Sequence, residues 1–397
     1  MWRWLLLGVV GIAVVVFGFS LIESNGTGGV SASAQFAGVV SDTTGYARAI
    51  QPWDWQFPAD FGAHPAFQTE WWYYTGNLAD ANGRRFGFQF TVFRRAITPD
   101  NLTPQSQTQG ENANNIASEW RTGQVYMAHF TVSDIEGGQF HHAQRFSRGG
   151  AGLAGATNEP RYHVWLEGWN IQAQDGDAST TTITADAGDF AVNLSLEQTK
   201  PPALQGDGGL SPKSAQPGNA SYYYSLTRLF TDGIITVSGQ SYTVSGTTWK
   251  DHEFSTSALG GNAQGWDWFG LQLDDDHELM LGQIRLQDGG TEPAFGGLLV
   301  EPDGSTRYLK QDDFTITATA AWTSPHTGAT YPAGWDITVD TGEAEPLRIT
   351  LTPLLADQEL HGGGTDYWEG AVRISGDQTG YGYAELTGYV QTMANRF

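Results

Sequence analysis

Three stretches of the chain set ionisable side chains directly beside large aromatic ones. They are His64-Pro65 with Glu70-Trp71-Trp72-Tyr73-Tyr74, then Trp249-Lys250-Asp251-His252-Glu253-Phe254, then Gly265-Trp266-Asp267-Trp268-Phe269. An apolar wall penalises the charge of a carboxylate, so it raises the acid's pKa and can hold it protonated near neutrality. A neutral acid facing an alkene can donate a proton, and aromatic faces stabilise the cation that develops. On this chemistry Asp251 and Asp267 are the candidate proton donors, and His252 is the candidate to orient or deprotonate water. Tyr74, Trp249, Phe254, Trp266 and Trp268 are the candidates to line an apolar site.

Each stretch also has a plainer reading, because a Trp-rich strand is more often core than catalytic wall. Two stretches close in sequence, each carrying Asp and Trp, favour a shared role. Other chemistries have less support. Asp251, His252 and Glu253 are consecutive, and neighbouring strand residues point to opposite faces, which argues against a common metal ion. The chain has no His-Glu-x-x-His pair, no Gly-x-Ser-x-Gly elbow and no glycine-rich phosphate loop ahead of a helix. Neither a metal nor a nucleotide cofactor is therefore expected, and a serine hydrolase lacks its nucleophile. With no cysteine there is no thiolate chemistry and no disulfide.

The elements that must hold these residues read as strands. Phe86, Phe88, Phe90 and Val92 alternate with Gly87, Gln89, Thr91 and Phe93, the period-two pattern of a strand. Glu70 to Leu78 precedes them, and Asn82-Gly83 between the runs predicts a hairpin with a type I′ turn. Further strands are expected over 124–133, 161–172, 189–197, 266–273, 279–286, 295–300, 335–339 and 347–354, with a last pair at 367–374 and 381–389. A second hairpin is expected around Gly239-Gln240. The polar runs 100–118 and 198–220 read as long loops. Many short strands without intervening helices predict closed antiparallel sheets. The fold class expected is all-β: two tandem lipocalin-like antiparallel barrels over residues 55–255 and 256–397, with room inside for an apolar ligand.

Of the 397 residues, 20 are Lys or Arg and 43 are Asp or Glu, for a net charge of −23. So acidic a surface repels phosphate backbones and argues against nucleic-acid binding. After Arg3, the run Trp4–Ile22 is almost wholly apolar. Its length lies between a signal-peptide core and a spanning helix, so residues 1–22 are expected to form a signal peptide or a membrane-anchoring helix. Residues 23–54 then read as a linker, and the remainder as exported, with membrane contact only if the helix stays uncleaved.

The stretches HPAFQTEWWYYTGNLADANGRRFGFQFTVFRR, WKDHEFS, GWDWFGLQLDDDHELMLGQIR and YWEGAVRISGDQTGYGYAELTGY follow one another in that order. Together, over about residues 55–395, they resemble the carotenoid 1,2-hydratase (hydroxyneurosporene synthase) family and its lipocalin-like exported relatives, some described as secreted hydrolases. The resemblance implies two lipocalin-like barrels and cofactor-independent addition of water to the terminal double bond of an acyclic carotenoid. Protonation by a carboxylic acid would give a tertiary cation that water captures. The family's His-x-Trp motif falls on His252-Glu253-Phe254, with Phe in place of Trp. Its acid, carried in a Tyr-x-Asp pair, falls on Leu281-Gly282-Gln283, which has neither residue. Asp251 or Asp267 would then have to serve. Beside this hydratase reading stands a second one, a lipocalin-like carrier that binds an isoprenoid or lipid without turnover.

Overall fold

The computed structural model describes residues 43–99, 122–256 and 259–394. The apolar run 1–22, most of the linker and the loop 100–118 lie outside the described residues. Among those described, no helix is long and apolar enough to cross a membrane.

The first half forms strands β1 (Thr69–Asp80), β2 (Arg85–Ala96), β3 (Gln124–Asp134), β4 (Gln139–Arg148), β5 (Ala154–Thr157), β6 (His163–Leu166), β7 (Trp169–Ala173), β8 (Thr180–Asp186) and β9 (Phe190–Gln198). Two short strands follow, β10 (Ala203–Leu204) and β11 (Leu210–Pro212), then the long hairpin of β12 (Ala220–Val237) and β13 (Gln240–Ser255). They make one antiparallel sheet in the order β4-β3-β2-β1-β13-β12-β9-β8-β7-β6-β5, with β10 and β11 paired to β12. The ends of this sheet return against each other, so it is a nearly closed barrel.

The second half contributes β14 (Ala263–Leu273), β15 (Glu278–Leu286), β16 (Gly297–Val300), β17 (Thr306–Leu309), β18 (Phe314–Ala318), β19 (Ala321–Thr323), β20 (Thr330–Pro332), β21 (Trp335–Val339), β22 (Leu347–Pro353), β23 (Glu359–Leu360), β24 (Tyr367–Gly376) and β25 (Gly380–Leu386). Its sheet runs β17-β16-β15-β14-β25-β24-β22-β21-β18, with β23 on β24 and β19–β20 as a separate hairpin. The all-β, two-barrel expectation holds.

Three local expectations need correction. At Asn82-Gly83 only Gly83 has positive φ (+86°), whereas a type I′ turn needs it at both central residues. The two-residue turn with both φ positive is Ser238-Gly239, at +50° and +79°. The strand expected over 161–172 is broken by Glu167 at φ +54°, which splits it into β6 and β7. The run 198–220 is not all loop, because β10 and β11 lie within it.

The inward faces fill both barrels. Trp72, Tyr74, Phe88, Phe90, Trp169 and Leu194 belong to the core of the first, and Phe269, Trp335, Leu351 and Trp368 to that of the second. Each fully buried apolar side chain contributes about 1.5–3 kcal/mol. Beside Lys250, inside the first barrel, lies a void of about 10 Å³, enough for about one water.

The outward faces of β1, β2 and β13 are buried too. Gln89, Thr91 and Thr75 are 0–2% exposed, because the second barrel packs against this wall through β24, β25 and β14. Polar contacts lock the junction. The Asn77 amide donates to the Gly382 carbonyl (3.0 Å), and Ser133 Oγ donates to Gln358 Oε1 (2.8 Å). Glu278, fully buried, is held by Lys200 at 2.9 Å and Arg228 at 2.6 Å.

Candidate functional site

Strand alternation decides what reaches the junction. On β13 the outward residues are Trp249, Asp251 and Glu253, while Lys250, His252 and Phe254 point into the first barrel. Register sets Tyr73 opposite Asp251 and Trp71 opposite Glu253 on one side, with Ser225 opposite Asp251 and Tyr223 opposite Glu253 on the other. Facing this wall, Trp268 pairs with Glu385 and Glu385 with Glu369. Between the walls lies a cavity of about 110 Å³. Its rings include Trp71, Tyr73, Tyr223, Trp266, Trp268 and Phe295, and four carboxyls reach it: Asp251, Glu253, Glu369 and Glu385.

Asp251 accepts hydrogen bonds from Ser225 Oγ (2.5 Å), Tyr223 OH (2.6 Å) and Trp249 Nε1 (2.7 Å). All three donate to it. The indole can only donate, Tyr223 already accepts from Trp268 Nε1 at 3.2 Å, and Ser225 already accepts from Gln205 Nε2 at 2.8 Å. Burial drives the acid's pKa up while these donors pull it back, and the balance is about 7. Asp251 is thus poised to take or release a proton near neutrality.

The opposite acids are less well supplied with donors. Glu369 is 1% exposed and neither of its oxygens completes a hydrogen bond. Burial and the neighbouring Glu385 hold its pKa well above the ordinary value, against a weaker pull from the Tyr73 and Tyr367 hydroxyls. Glu385 is pushed up to about 8 by burial, opposed by the Trp266 indole and reinforced by Asp251 and Glu253. Burial thus biases both towards the protonated, neutral form. Tyr367 OH meets His129 Nδ1 at 2.6 Å, and burial pushes that imidazole down to about 3, so it is uncharged. Glu253 is paired with Lys213 at 2.8 Å, and the Lys213 ammonium lies 4.5 Å from the centre of the Phe295 ring.

Among the residues singled out from sequence, Asp251, Trp266 and Trp268 line the cavity, and Trp249 packs edge-on to Trp268 behind Asp251. Asp267 points the other way, held by Arg285 at 3.0 Å and Tyr389 at 3.1 Å. Burial still raises its pKa, against those two partners. Tyr74 is in the first barrel, bonded to Tyr162 at 3.1 Å, and Phe254 stacks on His64 at 3.6 Å.

His252 lies in the same barrel, its Nε2 2.9 Å from Glu70 Oε1 and its Nδ1 3.1 Å from Tyr224 OH. Burial lowers its pKa to about 4, against the pull of Glu70. His64, Glu70 and His252 stand close enough to share a cation. Arg94 Nε already lies 2.8 Å from Glu70 and supplies that positive charge. Burial works to raise the Glu70 pKa, but Arg94 and the two imidazoles depress it well below the carboxylate range.

Tyr73 and Glu253 lay within the stretches singled out from sequence without being named as site residues, and Tyr223, Glu369 and Glu385 were missed. A signal was present. Two Tyr-x-Glu runs, Tyr367-Trp368-Glu369 and Tyr383-Ala384-Glu385, stand in the sequence, and their glutamates both reach the cavity.

With this geometry in view, the AttH-like family model matches residues 48–389. The chain belongs to the AttH-like family. A crystal structure of a Nitrosomonas europaea protein described as AttH is 34% identical at a TM-score of 0.74, covering 87% of this chain and 100% of the other. Kievitone hydratase from Nectria haematococca shares the fold at 16% identity and a TM-score of 0.62, over 90% of this chain and 98% of its own. No curated protein sequence matches the chain. In this AttH-like chain, the four stretches that resemble the carotenoid hydratases form β1–β2, the end of β13, β14–β15 and β24–β25. These are the strands that build the two walls of the cavity.

Proposed function

We propose that this AttH-like protein is a cofactor-independent hydratase that adds water to a carbon–carbon double bond of an apolar, isoprenoid-like molecule bound between the barrels. One observation carries the reading: two buried glutamic acids, Glu369 and Glu385, with pKa values raised by burial, face a ring-lined cavity opposite Asp251, a carboxyl poised near neutrality. Burying four carboxyls in such a place is costly, and a site for passive carriage has no use for them.

In this scheme the O–H proton of Glu369, with Glu385 beside it, passes to the less substituted alkene carbon as the π pair forms the new C–H bond. Trp71, Tyr73, Trp266 and Trp268 offer their faces to the resulting tertiary cation. The oxygen of water bonds to the cationic, more substituted carbon, and the proton it sheds goes to the Asp251 carboxylate. Return of that proton through solvent to the glutamate restores the starting state. The resemblance to carotenoid 1,2-hydratases and the hydratase of like fold support this reaction class. The apolar run at 4–22 supports a place outside the cytoplasm.

The test is incubation of purified protein with acyclic carotenoids and shorter isoprenoid alkenes, followed by mass spectrometry. A tertiary alcohol one water heavier is expected, and it should be lost in Glu369→Gln and Asp251→Asn. Stoichiometric binding with the alkene recovered unchanged would instead make the protein a carrier.

A further inference from the structure

Among the described residues that line the cavity, His129 of β3 supplies the one imidazole. Both of its ring nitrogens are engaged, and the contacts run from one barrel to the other. Register sets Gln144 of β4 opposite His129, and Gln144 Nε2 lies 2.6 Å from His129 Nε2. On the other side, Tyr367 OH of β24 lies 2.6 Å from His129 Nδ1. The same Gln144 nitrogen also lies 3.1 Å from Met127 Sδ. A thioether sulfur only accepts, so the amide turns its NH₂ end, not its oxygen, towards His129. Its oxygen packs against Gly363, between β23 and β24, where a Cβ would collide with it.

The direction of each bond follows. Burial pushes the His129 pKa down to about 3, so the ring is neutral and carries a single N–H. Gln144 donates to Nε2, which is therefore the bare nitrogen, and the proton sits on Nδ1. Nδ1–H donates to the Tyr367 oxygen, which leaves the Tyr367 proton to be given elsewhere. Trp368 belongs to the core of the second barrel, so Tyr367 and Glu369 share the opposite face of β24, the one that lines the cavity. The Tyr367 hydroxyl pulls on the Glu369 carboxyl, yet neither oxygen of that acid completes a hydrogen bond. A donor that is slack towards a neutral acid tightens once the acid is an anion, because bonds to charged acceptors are shorter and stronger.

We propose that Gln144, His129 and Tyr367 form a one-way hydrogen-bond chain that aims the Tyr367 hydroxyl at Glu369 and stabilises the carboxylate left when this acid gives up its proton. Tyr367 meets the reacting acid, and His129 and Gln144 are positioning residues that act through it. The catalytic consequence rests on the hydratase reading, whereas the direction of the chain does not. A donor engaged only after proton transfer favours the cationic state over the resting one, and that difference is what speeds a chemical step. Gln144 and His129 belong to the first barrel, Tyr367 and Glu369 to the second, so the acid has its full support only where the two meet.

Nitrogen NMR of histidine-labelled protein tests the direction without a substrate. At pH 7 the His129 signal, assigned by its loss in His129→Phe, should be that of the Nδ1–H tautomer. Gln144→Met offers no N–H and should move the proton towards Nε2. Infrared titration of the Glu369 carbonyl band, assigned by Glu369→Gln, tests the target. In Tyr367→Phe the band should persist to a pH higher by about one to two units. Glu385, Asp251, Glu253, Tyr73 and Lys213 share the cavity with Glu369 and are unchanged in these variants. With an alkene that the wild type hydrates, Tyr367→Phe should lower kcat by about tenfold or more and leave KM nearly unchanged. Gln144→Met, which keeps the phenol, should lower it less. An Nε2–H tautomer in the wild type, or a Glu369 titration unmoved in Tyr367→Phe, would overturn the chain. Full kcat in both variants would overturn its role in the reaction. Failure of the wild type to hydrate any alkene tells against the hydratase reading instead, since the two spectra decide the chain by themselves.

Discussion

Glu369 on β24 stands directly opposite Glu385 on β25, on the face of the second barrel that meets the first. Side chains so paired have Cβ atoms about 4.5–5.5 Å apart, where two like charges repel. Buried so close together, both cannot ionise at once, and burial of each raises its pKa further, which biases the pair towards the protonated form. This makes the junction a reservoir of acid, and it has consequences for stability as well as for chemistry.

The first consequence concerns pH. Glu385 has an ordinary value of 4.5 and is raised to about 8 in the fold, so between those values the folded state holds a proton that the unfolded chain has released. Stability from this group is full below about pH 4.5 and falls as pH rises towards 8. Glu385→Gln cannot titrate. The difference in stability between wild type and variant should shift by several kcal/mol, at most about 5, across that window, measured by urea denaturation at several pH values.

Lys250 moves the other way. It is 2% exposed, with rings of Phe61 and Tyr162 at 4.4 and 4.8 Å, and its Nζ donates to Tyr224 OH at 3.1 Å. Burial lowers its pKa from 10.5 to about 7. The unfolded chain then binds the extra proton between those values, so this burden on the fold is greatest below about pH 7 and eases as pH rises. Lys250→Met should stabilise the protein by about 1–3 kcal/mol at pH 7, with the gain shrinking towards pH 10 in thermal melts.

The donor set around Asp251 predicts a coupling. Asp251→Asn replaces an acceptor oxygen by an NH₂ in a site whose three partners donate to Asp251, so at least one donor must turn round or lose its acceptor, costing about 1–3 kcal/mol. Tyr223→Phe removes the donor on Oδ2. A double-mutant cycle should therefore show the pair of substitutions costing less than the sum of the singles. Strict additivity would mean that Tyr223 does not donate to Asp251.

At the other end of the first barrel, Glu70 binds Arg94, His64 and His252 in full burial. Glu70→Gln leaves the Arg94 charge uncompensated and should destabilise by about 3–5 kcal/mol. It should do so whatever becomes of alkene hydration, since this network faces away from the cavity.

Much of the architecture was legible because alternation is local. Phe86 to Val92 show in sequence which side chains point inward. The same alternation misleads when read as a string. Asp251 and His252 are adjacent in sequence, yet β13 sends one to the junction and the other to the barrel core. Asp267 and Trp268 part in the same way. Glu369 and Glu385 become partners only through the register of a hairpin, and that hairpin was itself visible. The location of the cavity was harder to read, since it depends on which outer walls meet. The rings at Trp71, Tyr73 and Phe93, on faces that a lone barrel would turn to water, were the available clue.

The claim underlying all of this is that carboxylic acids stay protonated at neutral pH in the cavity between the barrels. Infrared difference spectroscopy at pH 7 observes the carbonyl stretch of a protonated carboxyl directly. The account predicts such a band in the wild type, diminished in Glu369→Gln and in Glu385→Gln and absent from the double variant. A wild-type spectrum with only ionised carboxylates, or a band that survives unchanged in the double variant, would contradict it.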